Sequence, residues 1–351
     1  MEKKMKRRKS GIHINRIAAV SLPAILLIMI LLGWWLGLFT DIEEEPYISG
    51  DADRIVVGVS QLGSESRWRT ANTESVQTVF TQQNGYFLIF NNARQKQENQ
   101  IKAIRSFISQ RVDYIVFSPV VESGWDTVLQ EAKEAGIPVI LMDRNVDVED
   151  RSLYVTCIGS DFVEEGEKAG EWLEENLRRR GMTDKEVHIV VLKGTEGSSS
   201  QIGRTQGFSN VADRHRNWII LEQEYADFTS AKGREVMESL LRKYQNIDVV
   251  VSQNDDMTFG AIEAIRESGR TVGVDGDITI ISVDATRDAL EMVAEGTINV
   301  DIECNPNQGE YVSEVIAMLE SGQEVEKQYY VEEDVFTAEN VTEEVLKERN
   351  Y

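Results

Sequence analysis

Histidine, cysteine and proline are scarce: 351 residues hold three histidines, two cysteines and five prolines. Two cysteines cannot build a disulfide framework. A packed core must hold the fold instead, and a hydrophobic fraction of 41% is enough to make one. His13 lies in a basic tail, His188 inside an apolar run and His215 in the charged stretch Asp213-Arg214-His215-Arg216. None follows the end of an apolar run, so a Ser-His-Asp triad has no base. No His/Cys group has zinc spacing. Lys193-Gly194-Thr195-Glu196-Gly197 lacks the Gly-Lys-Ser/Thr ending of a phosphate loop and reads as a strand-to-helix turn. Asp275-Gly276-Asp277 is too short for a calcium loop and reads as a tight turn. Asp255 and Asp256 could do acid–base work, but Asp256 is expected to cap a helix over 257–268. No short-period repeat is visible. The sequence calls for no metal and no cofactor, and an enzyme is not the expected reading.

Charge is unevenly spread. Residues 1–39 carry seven basic and one acidic residue, which puts the remainder at about −29 against −23 for the whole chain. A body that acidic repels phosphate backbones, so nucleic acid is not an expected partner. Residues 17–39 (IAAVSLPAILLIMILLGWWLGLF) contain no charge over 23 residues, enough to span a hydrocarbon layer with some tilt. Trp34 and Trp35 sit near one end, where amphipathic rings favour the interface. Basic residues precede the span and Asp41, Glu43, Glu44 and Glu45 follow it. The positive-inside rule therefore predicts a single-pass protein of the cell membrane, with a cytoplasmic N-terminus and an extracytoplasmic body. The rival, a cleaved signal peptide, would have a shorter apolar region and an A-x-A-like site. With the first cysteine at Cys157, no lipid-anchored cysteine adjoins the span. The expected order is a basic tail (1–16), a transmembrane helix (17–39) and a tether (40–53).

From Arg54 onward, short apolar runs alternate with amphipathic stretches. The runs are 55–61, 86–92, 114–120, 138–143, 153–159, 187–194, 218–225, 249–255 and 278–284. They are β-branched or aromatic and near-continuous, as strands buried on both faces of a parallel sheet are. Helical patterns occupy 97–110, 124–136, 162–180, 229–244, 256–269 and 306–320. This alternation predicts an α/β fold with right-handed crossovers. Roughly 300 residues suit two open sheets of five or six strands better than one.

In such sheets ligands sit beyond the carboxyl ends of the strands. The residues there include Asp143, Arg144, Asn254 and Asp284, with Arg204 nearby. Carboxylates, guanidinium forks and an amide suit vicinal hydroxyls, which donate and accept at once. Trp68, Phe228 and Trp125 could present apolar faces to the C–H patches of a sugar ring. Taken singly, each Asp after a strand is as well read as a helix cap. It is their joint recurrence that suggests a site.

The segments 57–69 (VGVSQLGSESRWR), 95–125, 137–144, 193–208 (KGTEGSSSQIGRTQGF), 226–240 and 254–262 (NDDMTFGAI) resemble the type I periplasmic sugar-binding proteins. The relevant members are the ribose- and galactofuranose-binding receptors of ABC importers, the latter being closer. The resemblance covers about 54–340. It implies two Rossmann-like parallel-sheet lobes joined by a three-strand hinge that closes on a monosaccharide. The N-terminal lobe would comprise 54–159 plus about 305–330, and the C-terminal lobe 160–304 plus about 331–351. It also implies the ligand-binding residues: Glu65, Ser66, Trp68 and Arg69 from the first ligand loop, then Asp143, Arg144, Arg204, Phe228, Asn254 and Asp284. Glu303–Asn307 resembles the family's last hinge segment.

There are departures from the family pattern. The chain keeps an N-terminal span. Arg67 stands where the pattern has a small residue, which is expected to narrow the pocket mouth. Cys157 and Cys304 fall near hinge strands and are expected to be buried thiols, since a bridge there would impede closing. Family frequency favours an ABC permease as the partner of a monomeric ectodomain. A fixed span also suits a sugar-sensing co-receptor for a histidine kinase or chemoreceptor. A LacI-type repressor would need a DNA-binding head where this chain has its span.

Overall fold

The structure is a computed structural model that describes residues 54–351. The basic tail, apolar span and tether expected at 1–53 lie outside the described residues. Among the described residues, no helix is long and apolar enough to cross a membrane.

The strands form two six-stranded sheets. The first runs, in spatial order, Gln328–Tyr330 (β11), Thr156–Gly159 (β5), Val139–Met142 (β4), Tyr114–Phe117 (β3), Ile55–Gln61 (β1) and Tyr86–Asn92 (β2), all parallel. The second runs Val335–Phe336 (β12), Val300–Glu303 (β10), Thr279–Asp284 (β9), Val249–Ser252 (β8), Val187–Lys193 (β6) and Trp218–Tyr225 (β7). It is parallel except that β12 is antiparallel to β10.

Alternation along each strand sends successive side chains to opposite faces, and helices bury both. On the first sheet, Ile115, Phe117 and Leu141 meet helices Gln97–Gln110 (α2) and Asp126–Glu134 (α3) through Ile104, Phe107 and Leu129. Val59, Val116 and Ile140 meet Arg67–Val79 (α1) and Gly309–Glu320 (α9) through Val76, Val312 and Ile316. On the second sheet, Ile189, Val191 and Val251 face Phe162–Arg179 (α4) and Ser199–Ala212 (α5), with Leu173, Phe208 and Val211. Val190, Val250 and Ile280 face Ser230–Lys243 (α6), Asp255–Glu267 (α7) and Arg287–Ala294 (α8), with Met237, Ile262 and Val293. A last helix, Glu343–Glu348 (α10), follows β12.

Helices α4 and α5 pack unusually close. A Cβ on Gly207 would stand 2.0 Å from the Val163 carbonyl oxygen, and one on Gly166 would stand 2.3 Å from that of Arg204. Only glycine permits this approach, and it fixes the helix that carries Arg204.

Between the sheets the chain crosses three times, at 160–161, 304–308 and 331–334. Cys157 and Cys304 are buried free thiols next to these crossings.

Several expected elements are revised. The run 114–120 pairs only to Phe117, and the run 153–159 begins in a 3-10 turn at Arg151–Leu153 before β5. Strands β10, β11 and β12 and helices α1, α5, α8 and α10 add to the expected set. Asp256 does not cap α7. Asn254 does, its side chain accepting from the Met257 amide at 3.0 Å, because the helix begins one residue before Asp256.

Candidate functional site

The carboxyl ends of the strands feed one cavity between the sheets, with an empty volume of about 280 Å³. From the first lobe it is lined by Glu65, Ser66, Trp68 and Arg69, after β1, and by Asp143 and Arg144, after β4. From the second come Arg204 on α5, Phe228 after β7, Asn254 after β8 and Asp284 ending β9. All ten residues picked from the sequence therefore share one cavity. Ser200 and Cys304 also line it and were not foreseen. Ser200 precedes Arg204 by one helical turn, which the helical reading of 199–212 would have revealed. Trp125 does not reach the cavity: it is wholly buried against Phe117 in the first lobe's core.

The first-lobe charges form a braced array. The Arg69 guanidinium donates to Asp143 Oδ2 at 2.7 Å and to Glu65 Oε1 at 3.0 Å. Ser118 Oγ donates to the same Asp143 oxygen at 3.0 Å. Burial works against the Arg69 charge, but Asp143 and Glu65 hold its pKa above the ordinary arginine value. Arg144 is less supported. Its Nη1 donates to the Val120 carbonyl at 3.1 Å, its side chain stands 5.3 Å from the Phe228 ring centroid, and Nε makes no hydrogen bond. Burial, with Arg69 close by, lowers its pKa to about 10.

In the second lobe, Arg204 donates to Glu165 Oε2 at 2.6 Å and to the Gln253 carbonyl, and lies 3.8 Å from Asp284 Oδ1. Burial raises the Asp284 pKa well above the usual carboxylate range, although Arg204 opposes the rise. Glu165 was not foreseen, and it positions Arg204 from inside α4.

Three lining atoms are buried without a hydrogen-bond partner: Glu65 Oε2, Arg144 Nε, which lies 3.9 Å from Asp143 Oδ2, and Asp284 Oδ2. Buried polar atoms of this kind are seldom left alone. Two acceptors and one donor facing a common space suit a ligand that both gives and takes hydrogen bonds. The backbone is strained at the same place. Asp143, Phe228 and Asp284 have φ of 64°, 58° and 123°, values that non-glycine residues rarely adopt. Such strain clusters where side-chain direction matters for function. At Gly194 a Cβ would lie 1.8 Å from Phe228 Cζ, so the ring is seated against bare backbone.

The rim is clasped on both sides. The Arg67 amide donates to Asp256 Oδ2 at 2.9 Å, and its guanidinium lies 3.3 Å from Asp288 and 4.8 Å from the Phe259 ring centroid. Opposite, the Glu122 amide donates to the Gly197 carbonyl at 2.9 Å and the Asn145 amide to Ser199 Oγ at 3.0 Å. Trp68 Nε1 donates to the Cys304 carbonyl at 2.5 Å, tying α1 to the second crossing. Asp256 is thus a rim contact.

Two α/β lobes, three crossings and a buried polar cavity between them define a hinged binding protein. The chain belongs to the periplasmic binding protein domain family, which matches residues 57–324. The galactofuranose-binding protein YtfQ of Escherichia coli (strain K12) is 39% identical over 300 residues, covering 84% of this chain and 92% of that one. A crystal structure from Mycobacterium smegmatis in complex with beta-D-fucofuranose is 43% identical, with a TM-score of 0.80, and covers 85% of this chain and 95% of that one. The binding component of the arabinose ABC transporter from Shewanella sp. ANA-3, bound to alpha and beta-L-arabinofuranose, is also 43% identical, with a TM-score of 0.78 and coverage of 84% and 95%.

Proposed function

We propose that the chain is an extracytoplasmic receptor for a monosaccharide in its furanose ring form, delivering it to an ABC importer without chemical turnover. The reading is carried by one observation: buried, unpartnered Glu65 Oε2, Arg144 Nε and Asp284 Oδ2 surround one small cavity with Phe228 in its wall. Twelve residues line the whole cavity, which suits a single ring rather than an oligosaccharide. The furanose preference comes from the ligands named for the galactofuranose-, fucofuranose- and arabinofuranose-binding relatives. Arg144 and Asp284 would take vicinal hydroxyls, and the Phe228 and Trp68 rings would cover the C–H faces.

Binding would work by population shift: sugar satisfies the buried atoms only when the lobes close, and the permease distinguishes closed from open. Residues 17–39 are read as an uncleaved span that keeps the body near its permease and raises its effective concentration. The permanent span is also the feature that favours the second reading, a co-receptor for a sugar-sensing kinase or chemoreceptor.

The test is a thermal-shift screen of the full chain in detergent with L-arabinose, D-galactose and D-fucose, followed by carbon NMR of 1-¹³C-labelled sugar on the protein. A ligand of the native state raises the melting temperature by mass action. The bound anomeric carbon is expected at a furanose shift. A pyranose shift would overturn the ring-form assignment, and the absence of any melting shift would overturn the sugar receptor.

A further inference from the structure

Asp284 enters the cavity from a strained turn. It ends β9 with φ of 123°, and Ala285 follows with φ of 56°. Backbone in these regions persists only where the surroundings over-determine it. The cavity side gives little hold: Asp284 Oδ1 lies 3.8 Å from Arg204, and Oδ2 makes no hydrogen bond. The hold comes from behind the turn. Two wholly buried carboxyls stand there, Asp255 at the start of α7 and Asp301 on β10.

Asp255 Oδ2 accepts from the Thr286 amide at 2.8 Å and from Thr286 Oγ1 at 2.7 Å. Its Oδ1 accepts from Ser282 Oγ at 2.6 Å, and that hydroxyl lies 2.7 Å from Thr258 Oγ1. Asp301 Oδ1 accepts from the Ala285 amide at 3.1 Å. In the sheet Asp301 is paired with Ser282, which puts it beside the hydroxyl that Asp255 holds. Two consecutive amides of the turn are thus fixed by two different elements. Burial, then the charge of Asp255, keeps Asp301 a neutral acid well above the usual carboxylate range.

We infer that Asp255 and Asp301 are positioning residues of the sugar site: they hold the 284–286 turn by its amides and so direct the Asp284 carboxyl at the ligand. Neither lines the cavity. The run Asn254-Asp255-Asp256 then divides its work. Asn254 lines the cavity, Asp256 meets the rim at the Arg67 amide, and Asp255 braces the turn from below. The strain at Asp284 and Ala285 is what aims the carboxyl, and the two acids are what keep it from relaxing.

The inference rests on the receptor reading, and its test separates the two. The full chain in detergent is titrated calorimetrically with L-arabinose, D-galactose and D-fucose, and thermal denaturation confirms that each variant is folded. A double-mutant cycle against D284N tells a positioning role from a general structural one, since independent effects add. T286V removes one bond to Asp255 and no charge. It should weaken binding about threefold in the wild-type background and leave the binding of D284N unchanged. D255A should cost about tenfold, with most of that loss absent in D284N. D301N mimics the neutral acid and should bind within about twofold of wild type, whereas D301A should lose about tenfold. Equal losses in the wild-type and D284N backgrounds, alanine variants that bind as wild type does, or a D301N as weak as D301A overturn the positioning role. Should the alanine variants not fold, the T286V cycle decides alone, equal losses being the overturning result. No binding of any of the three sugars by wild type instead overturns the receptor reading, and the positioning role with it.

Discussion

Arg144 and Arg69 are buried side by side, yet their replacement by alanine should have opposite consequences. Arg69 is the sole guanidinium hydrogen-bonded to both Asp143 and Glu65 among the described residues. Its removal strands two buried carboxylates, and breaking a buried pair from one side costs about 3–5 kcal/mol of stability. The Arg144 side chain has one protein hydrogen bond, to the Val120 carbonyl, and lies 3.9 Å from an Asp143 oxygen that Arg69 and Ser118 already serve. Its removal also deletes a buried charge that Arg69 repels. Arg144→Ala should therefore leave the melting temperature within a few degrees of wild type.

Affinity should behave differently. The guanidinium stands ready for charge-assisted bonds worth about 1.5–3 kcal/mol each, and it lies 5.3 Å from the Phe228 ring centroid. A loss of about 2–4 kcal/mol follows, or roughly 30- to 1,000-fold in dissociation constant. Paired calorimetric titration and thermal denaturation would measure both quantities on each variant. If Arg144→Ala bound sugar as wild type does, or fell apart as readily as Arg69→Ala, the division into a bracing and a ligand-facing arginine would be wrong.

Gly194→Ala should weaken binding at least tenfold while the sheets persist, because its Cβ would stand 1.8 Å from Phe228 Cζ and push the ring off its seat; unchanged affinity would mean that Phe228 is not part of the wall. Small-angle scattering should show the sugar-free protein as more extended than the sugar-loaded one, and identical profiles would contradict hinge closure. Deleting residues 1–40 should release a soluble, monomeric, sugar-binding body, while in intact cells the full chain should sediment with membranes and expose its body to external protease; insolubility of the truncation, or full protection of the body, would refute the anchor.

The strands were legible where burial on both faces forces an unbroken apolar run, as in Val249–Ser252. They were illegible where that rule fails. In β10, Val300-Asp301-Ile302-Glu303, charged side chains alternate with apolar ones although all four are buried. Asp301 is tolerated there because Oδ1 accepts from the Ala285 amide at 3.1 Å and burial keeps the carboxyl in its neutral form over a raised range of pH. Helix α1 was missed because it buries Arg69 and Asn72 alongside Trp68 and Val76. Helix α5 was missed because glycine and serine stand where its close packing on α4 would otherwise place larger residues. Asp143, Arg144, Asn254 and Asp284 were visible because they follow strand ends, whereas Ser66 and Arg69, at the start of α1, were indicated by the family resemblance. Glu165 follows no strand end: it lies within a helix and reaches Arg204 only because the glycine contact brings α4 and α5 together.

The places where local rules break are the places where the lobes meet. Leaving a buried polar atom unpaired costs about 1–3 kcal/mol, and Glu65 Oε2, Arg144 Nε and Asp284 Oδ2 all become unpaired when the cleft shuts on itself. Against this stands a rim whose ion pair among the described residues, Arg67 with Asp288, is more than half exposed on both sides and so contributes about 0–1 kcal/mol. The Arg67 amide on Asp256 adds about 1.5–3 kcal/mol, and the two backbone amides that cross on the other side about 0.5–1.5 kcal/mol each. The sum leaves closure of the protein alone close to balance. A ligand that fills the three open valences tips it towards the closed form, because it removes the penalty at the same moment that it adds its own bonds. A hinged receptor needs this asymmetry: if the rim alone could hold the lobes together, a membrane partner reading the closed form would respond in the absence of sugar.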